Sequence, residues 1–307
     1  MRRFLGPRDA AVVAVAAIVM LVAGVVIEES GGSGSTASAA TPVQQIGMRV
    51  LLITDSSDPT TASGIAYGDW VSTLKREGVP YDSVVTSDAS PGTVALPTLS
   101  STLPNGNEVA NYEGVVVAAS GTVGLSSAQW TALQTFEQHF AVRQVTAYAV
   151  PSSDYGLTYL NRTFAASGAT DPLPTPSLTS AGAGVFPYLN AVGLDPGTFG
   201  YEGTPGASDT TLLSGPNGSS LVGIYTSPDG RQTMYQTFNQ NQYMLQSELL
   251  RHGELAWLSR STYFGDQRNY LETHVDDNFL SDAAWSVAGN ALNRGALDGL
   301  QPGRLAA

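Results

Sequence analysis

The chain contains no cysteine. That excludes disulfide cross-links, a thiolate-ligated zinc site and thiol catalysis together. Basic residues are scarce, with 14 Lys plus Arg against 26 Asp plus Glu and a net charge of -12. Three of those bases, Arg2, Arg3 and Arg8, fall near the N-terminus. No basic stripe remains for a phosphate backbone, and nucleic acid is excluded as a partner. Histidine is thin as well, with 3 in the whole chain. His252 lies one turn after Glu248, and His139 has Glu137 nearby. Two groups fall short of a zinc set, so both histidines read as surface or packing residues. No Gly-x-Gly-x-x-Gly follows the first buried-type strand, where Asp55-Ser56-Ser57-Asp58-Pro59 stands instead. A dinucleotide site is therefore not expected. Asp55 and Asp58 are candidate cation ligands, but Asp, Ser and Pro are first of all turn and helix-cap residues.

What is present suits a folded, loop-rich protein: 42% hydrophobic residues, 33 Gly and 17 Pro in 307 residues, a length that accommodates two domains. One long apolar run, Ala10 to Ile27, follows the three arginines and is ended by Glu28 and Glu29. Its length and flanking charges predict a transmembrane helix, with residues 1–28 as a membrane anchor and the bulk of the chain extracytoplasmic. The alternative is a signal peptide cleaved near Ala37-Ser38-Ala39, giving a secreted protein. Residues 29–46, rich in Gly, Ser, Ala and Thr, read as a flexible linker.

Residues 47–150 read as an α/β layer domain. Met48 to Thr54 is a nearly continuous apolar run, the mark of a strand buried on both faces. Ala62 to Arg76 has helical spacing and stops at Gly78-Val79-Pro80. Strands follow at Tyr81 to Val85 and Gly114 to Ala119, with a loop between them. Ser126 and Gln129 form a capping-box pattern before a helix whose face is marked by Trp130, Leu133, Phe136 or Glu137, and Phe140. Arg143 to Val150 returns to a strand. In residues 151–240 short apolar runs separated by Gly, Pro, Ser and Thr predict a β-sandwich-like region, with Pro228-Asp229-Gly230 as a hairpin turn. Tyr155, Tyr188, Tyr201, Tyr225 and Tyr235 are its candidate sugar-stacking faces, although tyrosine is also an ordinary strand residue. Residues 241–307 begin with a helix over Tyr243 to Ser259. A strand follows in which Leu271, Thr273 and Val275 alternate with Tyr270, Glu272 and His274, and it ends in Asp276 and Asp277. Two carboxylates at a strand's end can divide the work of a base and a metal ligand.

Three passages, Asn111 to Val117, Leu125 to Trp130 continuing through Phe140 to Arg143, and Arg268 to Leu271 continuing through His274 to Leu280, together resemble the fungal galactosaminogalactan deacetylases and their bacterial relatives. The resemblance runs from about Met48 to Gly289 and implies a carbohydrate-binding module followed by a metal-dependent deacetylase (β/α) barrel. By that resemblance Asp276 is the catalytic base that activates water, and Asp277 ligates a divalent, zinc-like metal. The partner it implies is an N-acetylhexosamine-containing polysaccharide. A barrel needs about 200 further residues, and neither these nor additional His ligands follow Asp277. The expectation is thus an α/β protein holding the start of a truncated barrel, binding polysaccharide without completing the active site. The alternatives are an active deacetylase completed by missing sequence or a partner, and a non-catalytic protein-interaction domain.

Overall fold

The structure is a computed structural model that describes residues 44–119, 123–164, 172–263, 265, 284–286 and 289–293. The elements in chain order are β1 (Gln44–Ile46), β2 (Val50–Thr54), α1 (Ala62–Glu77), β3 (Tyr81–Val85), β4 (Ser100–Thr102), β5 (Glu108–Ala110), β6 (Gly114–Val117), α2 (Ser127–Phe140) and β7 (Arg143–Thr146). They continue with β8 (Leu157–Phe164), β9 (Ser177–Leu178), α3 (Ser180–Val185), β10 (Gly200–Pro205), β11 (Asp209–Ser214), β12 (Ser220–Thr226), β13 (Gln232–Gln236), α4 (Leu245–Leu258), β14 (Ala284–Ser286) and β15 (Ala291–Asn293).

β2 and β6 are the apolar spine. Val50 to Ile53 and Val115 to Val117 are all buried, because helices cover both faces of these strands. The period-two pleat sorts their side chains. Val50, Leu52 and Val116 join one cluster with Trp70 and Leu74 of α1 and Leu250, Leu255 and Leu258 of α4. Leu51, Ile53, Val115 and Val117 join a second cluster with Leu133, Phe136 and Phe140 of α2. Each fully buried aliphatic side chain contributes about 1.5–3 kcal/mol. Gly114 opens β6 where Leu258 of α4 rests on the strand; a Cβ there would lie 2.4 Å from Leu258 Cγ.

The helix ends follow their local chemistry. Thr61 caps α1 by accepting from the Gly64 amide, and Gly78 closes it in the left-handed region at φ 73°. At α2 the capping box of Ser126 and Gln129 forms with both of its hydrogen bonds.

One sheet of eight strands runs β3-β2-β6-β7-β13-β12-β11-β9. β3, β2, β6, β7 and β13 are parallel neighbours. β12, β11 and β9 continue the sheet antiparallel. The β-sandwich expected for residues 151–240 is therefore corrected. β11, β12 and β13 extend the α/β sheet instead of packing a second sheet on it, and only β8 and β10 pair apart as a two-stranded ribbon. Within the same region the short apolar run from Gly184 to Leu189 begins inside helix α3 rather than forming a strand. The loop between β3 and β6 contains β4 and β5, and β5 pairs with both β1 and β4 in a small three-stranded sheet.

The expected transmembrane helix at residues 10–27 lies outside the described residues. Among the described residues no helix is long and apolar enough to cross a membrane. The longest, α1, has 16 residues and carries Asp69, Lys75, Arg76 and Glu77. A single-pass membrane protein is not supported, and both the fold class and the membrane localisation built on that helix are corrected accordingly.

Candidate functional site

The two faces of the sheet are covered unequally beyond β6. α2 packs over β2 and β6, and past it the same face of β7 and β13 turns polar, with Gln144 and Thr146 on β7 and Thr233 on β13. The result is a cleft of about 630 Å³. Trp130 and Gln134 of α2 form one wall, and the turn from Ser152 to Tyr155 forms a second. Tyr225 of β12 with Ser227, Pro228 and Arg231 of the β12–β13 hairpin forms a third, over a floor of Val117, Gln144 and Thr233. This lies within the size range of pockets that enclose small ligands.

Its chemistry is aromatic walls with a few fixed polar groups. Tyr155 and Tyr225 pack against a small cluster of Ala149, Leu157 and Tyr235, which steadies their rings. The Tyr155 and Tyr235 rings are 6.2 Å apart. Gln144 donates to Thr146 Oγ1 at 3.1 Å, which orients its amide. Arg231 donates from Nε to Asp229 Oδ2 at 2.7 Å and from Nη1 to Glu137 Oε2 at 3.3 Å. Hydrogen bonds from Ser227 and Arg231 hold the Asp229 carboxyl down at about 2, well below the usual range. Burial pushes the Glu137 carboxyl up to about 7 against the pull of Arg231.

Of the five tyrosines singled out in the sequence, Tyr155 and Tyr225 line this cleft. Tyr235 is fully buried, and its hydroxyl donates to Ser220. Tyr188 is 47% exposed, but its hydroxyl is engaged by α4, donating to the Leu249 carbonyl and accepting from the Gly253 amide. Tyr201 sits among Tyr148, Tyr159 and Phe199, with ring centroids 5.0–6.0 Å away. Sequence reasoning assigned Trp130 to a helix face and did not single out Gln134, Gln144 or Arg231. For Gln144 the signal available was the polar alternation of β7 beside the largely apolar β2 and β6; nothing comparable marks Gln134 on α2 or Arg231 in the hairpin turn.

The other candidates resolve as follows. Asp58 is a turn residue, accepting from the amide and hydroxyl of Thr60, bonds that lower its pKa. Asp55 lies at the end of β2 with Oδ1 buried and unpartnered. His252 Nδ1 is 3.3 Å from Glu77 Oε1. His139 pairs with Glu108 at 2.7 Å rather than with the Glu137 of its own helix. Among the described residues no group of three or more His, Asp or Glu could hold a metal ion. Asp276 and Asp277, the expected base and metal ligand, lie outside the described residues, so the zinc-like ion implied by the resemblance is given no geometry here.

Comparison with known proteins gives the class first. Residues 46–182 match the family model described as Agd3 CBM87, a carbohydrate-binding module. The match takes in α2, β7 and the turn at Ser152 to Tyr155, and thus two of the cleft's walls. The crystal structure of Agd3, titled a novel carbohydrate deacetylase, superposes with a TM-score of 0.63 at 24% identity, covering 79% of this chain and 37% of that one. Residues 46–182 are thus similar to the carbohydrate-binding module of Agd3, in keeping with the resemblance carried by the motif passages, and the chain spans little more than a third of that solved relative. A ThuA-like protein from Bacteroides uniformis matches with a TM-score of 0.46 at 13% identity, covering 73% of this chain and 95% of that one. No protein of curated function matches.

Proposed function

We propose that this chain binds polysaccharide containing N-acetylhexosamine in the cleft between α2, the Ser152 to Tyr155 turn and the β12–β13 hairpin. The observation that carries this reading is the convergence of Trp130, Tyr155 and Tyr225 with Gln134, Gln144 and Arg231 in one cleft. Much of that cleft is built from the segment that matches a carbohydrate-binding module. Sugar rings present C–H faces that pack on aromatic rings and hydroxyl or amide edges that need donors and acceptors, and the cleft offers both kinds of surface. The resemblance of the chain to deacetylases supports the N-acetylhexosamine class of ligand.

The test is co-sedimentation of the full chain with a partially deacetylated N-acetylhexosamine polymer, scored for both retention and acetate release. The wild type is expected to be retained. Gln134→Ala should weaken retention by about fivefold, the effect of losing one hydrogen bond. Trp130→Ala should weaken it by about tenfold or more, as expected for an aromatic anchor of a binding site. Retention unchanged by both substitutions would move the site elsewhere, and no retention of the wild type would favour a protein-interaction role. Acetate release reports separately on hydrolytic chemistry, for which the resemblance nominates Asp276 and Asp277.

A further inference from the structure

Trp130, Gln134 and Glu137 stand at positions i, i+4 and i+7 of α2 and therefore share one helix face. The first two line the cleft. Glu137 continues their stripe but is sealed from solvent, with its side chain 1% exposed beneath Arg231. Arg231 reaches it from the hairpin turn and is itself 16% exposed, lining the cleft. Its guanidinium is held on two sides, by Asp229 at Nε and by Glu137 at Nη1. Among the described residues Nη2 has no hydrogen-bond partner, and Arg231 lines the cleft.

The pair differs from an ordinary structural ion pair. Glu137 Oε1 is buried and has no partner, and Oε2 makes a single 3.3 Å bond to Arg231. A carboxylate so incompletely compensated is costly to keep ionised in a site of low dielectric. The charged groups that act on it, Arg231 and Asp229, both come from the hairpin. The strands beneath present the uncharged Gln144 and Thr233, and its own helix adds Gln134 and Gln138.

Building on the reading of the cleft as the saccharide site, we propose that Arg231 is its specificity-determining donor and that Glu137 is the positioning residue that fixes Arg231, so that saccharide binding is coupled to the charge on Glu137. With Glu137 ionised, the guanidinium is pinned between two carboxylates and Nη2 is preorganised toward a hydroxyl or carbonyl oxygen of the ligand. With Glu137 protonated, Asp229 alone holds it, and ligand binding must supply the ordering that the pair no longer provides. Burial raises the Glu137 carboxyl to about 7, so this change falls near neutrality. Affinity rises with pH through that range. By linkage, a bound saccharide draws the Glu137 titration to lower pH.

The test uses the full chain and a fully N-acetylated hexosamine oligomer, a probe with no titrating group of its own. Wild-type affinity is expected to rise about fivefold between about pH 5.5 and about pH 8, the effect of one hydrogen bond. Glu137→Gln should give a flat profile near the wild-type value at low pH. Arg231→Lys, which keeps the charge but loses the planar fork, should bind more weakly across the whole range. The carboxyl carbon resonance of Glu137 in the wild type should titrate near neutrality and shift to lower pH on saturation, a readout that does not depend on any variant folding. A flat wild-type profile with measurable affinity, a Glu137→Gln variant that keeps the slope, or a Glu137 titration unmoved by ligand would each overturn the coupling while leaving the cleft as the binding site. No binding at any pH would overturn both.

Discussion

Glu113 shows what one unpaired group does to this molecule. It precedes β6 and is 7% exposed, with Oε1 lacking any partner. Desolvation pushes its carboxyl up to about 7. Since the unfolded chain titrates near about 4.3, the folded state holds the extra proton between the two values, and stability falls as pH rises through that window. The cost above neutrality is about 2 kcal/mol, discounted for residual solvent at the site. Glu113→Gln should therefore raise the unfolding midpoint at about pH 8 and leave it nearly unchanged at about pH 4, where both states are largely protonated. Chemical denaturation at the two pH values checks this, and equal shifts at both would exclude the titration as the cause. The flanking Tyr112 and Gly114 identify a strand entry in the sequence. Nothing in the sequence marks Glu113 as buried, because its burial depends on how distant segments close around it.

At the scale of elements, local signals were faithful wherever the structure they specify is local. α2 begins where the capping box places it, with Ser126 Oγ accepting from the Gln129 amide at 3.3 Å and the Gln129 side chain accepting from the Ser126 amide at 2.9 Å. Gln129 also donates to the Val94 carbonyl at 2.7 Å, tying the helix start to the preceding loop. Ser126→Ala should cost about 1 kcal/mol, measured as a drop in denaturation midpoint at constant slope; a loss below about 0.3 kcal/mol would mean that the Gln129 contacts carry the cap alone. The failure over residues 151–240 has a different origin. β12 and β13 alternate and are joined by a Pro-Asp-Gly turn, and that signature is the same whether the hairpin enters a second sheet or prolongs the first. The choice rests on the pairing of β13 with β7, Thr233 opposite Gln144 and Tyr235 opposite Thr146, almost ninety residues apart and without any local trace. For the same reason two walls of the cleft were named only in part. Tyr155 and Tyr225 stood out as aromatic strand and turn residues. Trp130 and Arg231 acquire a role only once that pairing brings α2 and the hairpin together.

Across the whole molecule, a buried charge network joins the early and late parts of the chain. Arg251 of α4 donates to Asp69 of α1 from Nε at 2.9 Å and Nη2 at 2.6 Å, and it also pairs with Glu254. Ser247 donates to the same Asp69 carboxylate at 2.6 Å, and the guanidinium lies 4.7 Å from the Trp70 ring centroid. Asp69 and Arg251 are almost fully buried, so removing either side leaves a charge stranded at a cost of about 3–5 kcal/mol. The segment that matches the carbohydrate-binding module ends at residue 182 and contains Asp69 without Arg251 or Ser247. A fragment of residues 44–182 would also expose the β7 edge that β13 covers. It would lose Met234, Leu250, Leu255 and Leu258 from the larger core, each contributing about 2 kcal/mol, and together with the stranded Asp69 charge these losses are comparable to the whole marginal stability of about 5–15 kcal/mol of a native protein. We expect the fragment to lack a cooperative thermal transition and to bind a hydrophobic dye, whereas residues 44–265 should unfold sharply. A sharp transition in the shorter fragment would show that β7 and α1 tolerate the loss of their late partners. The same fragment lacks Tyr225 and Arg231, so even if folded it should not retain saccharide through the proposed cleft.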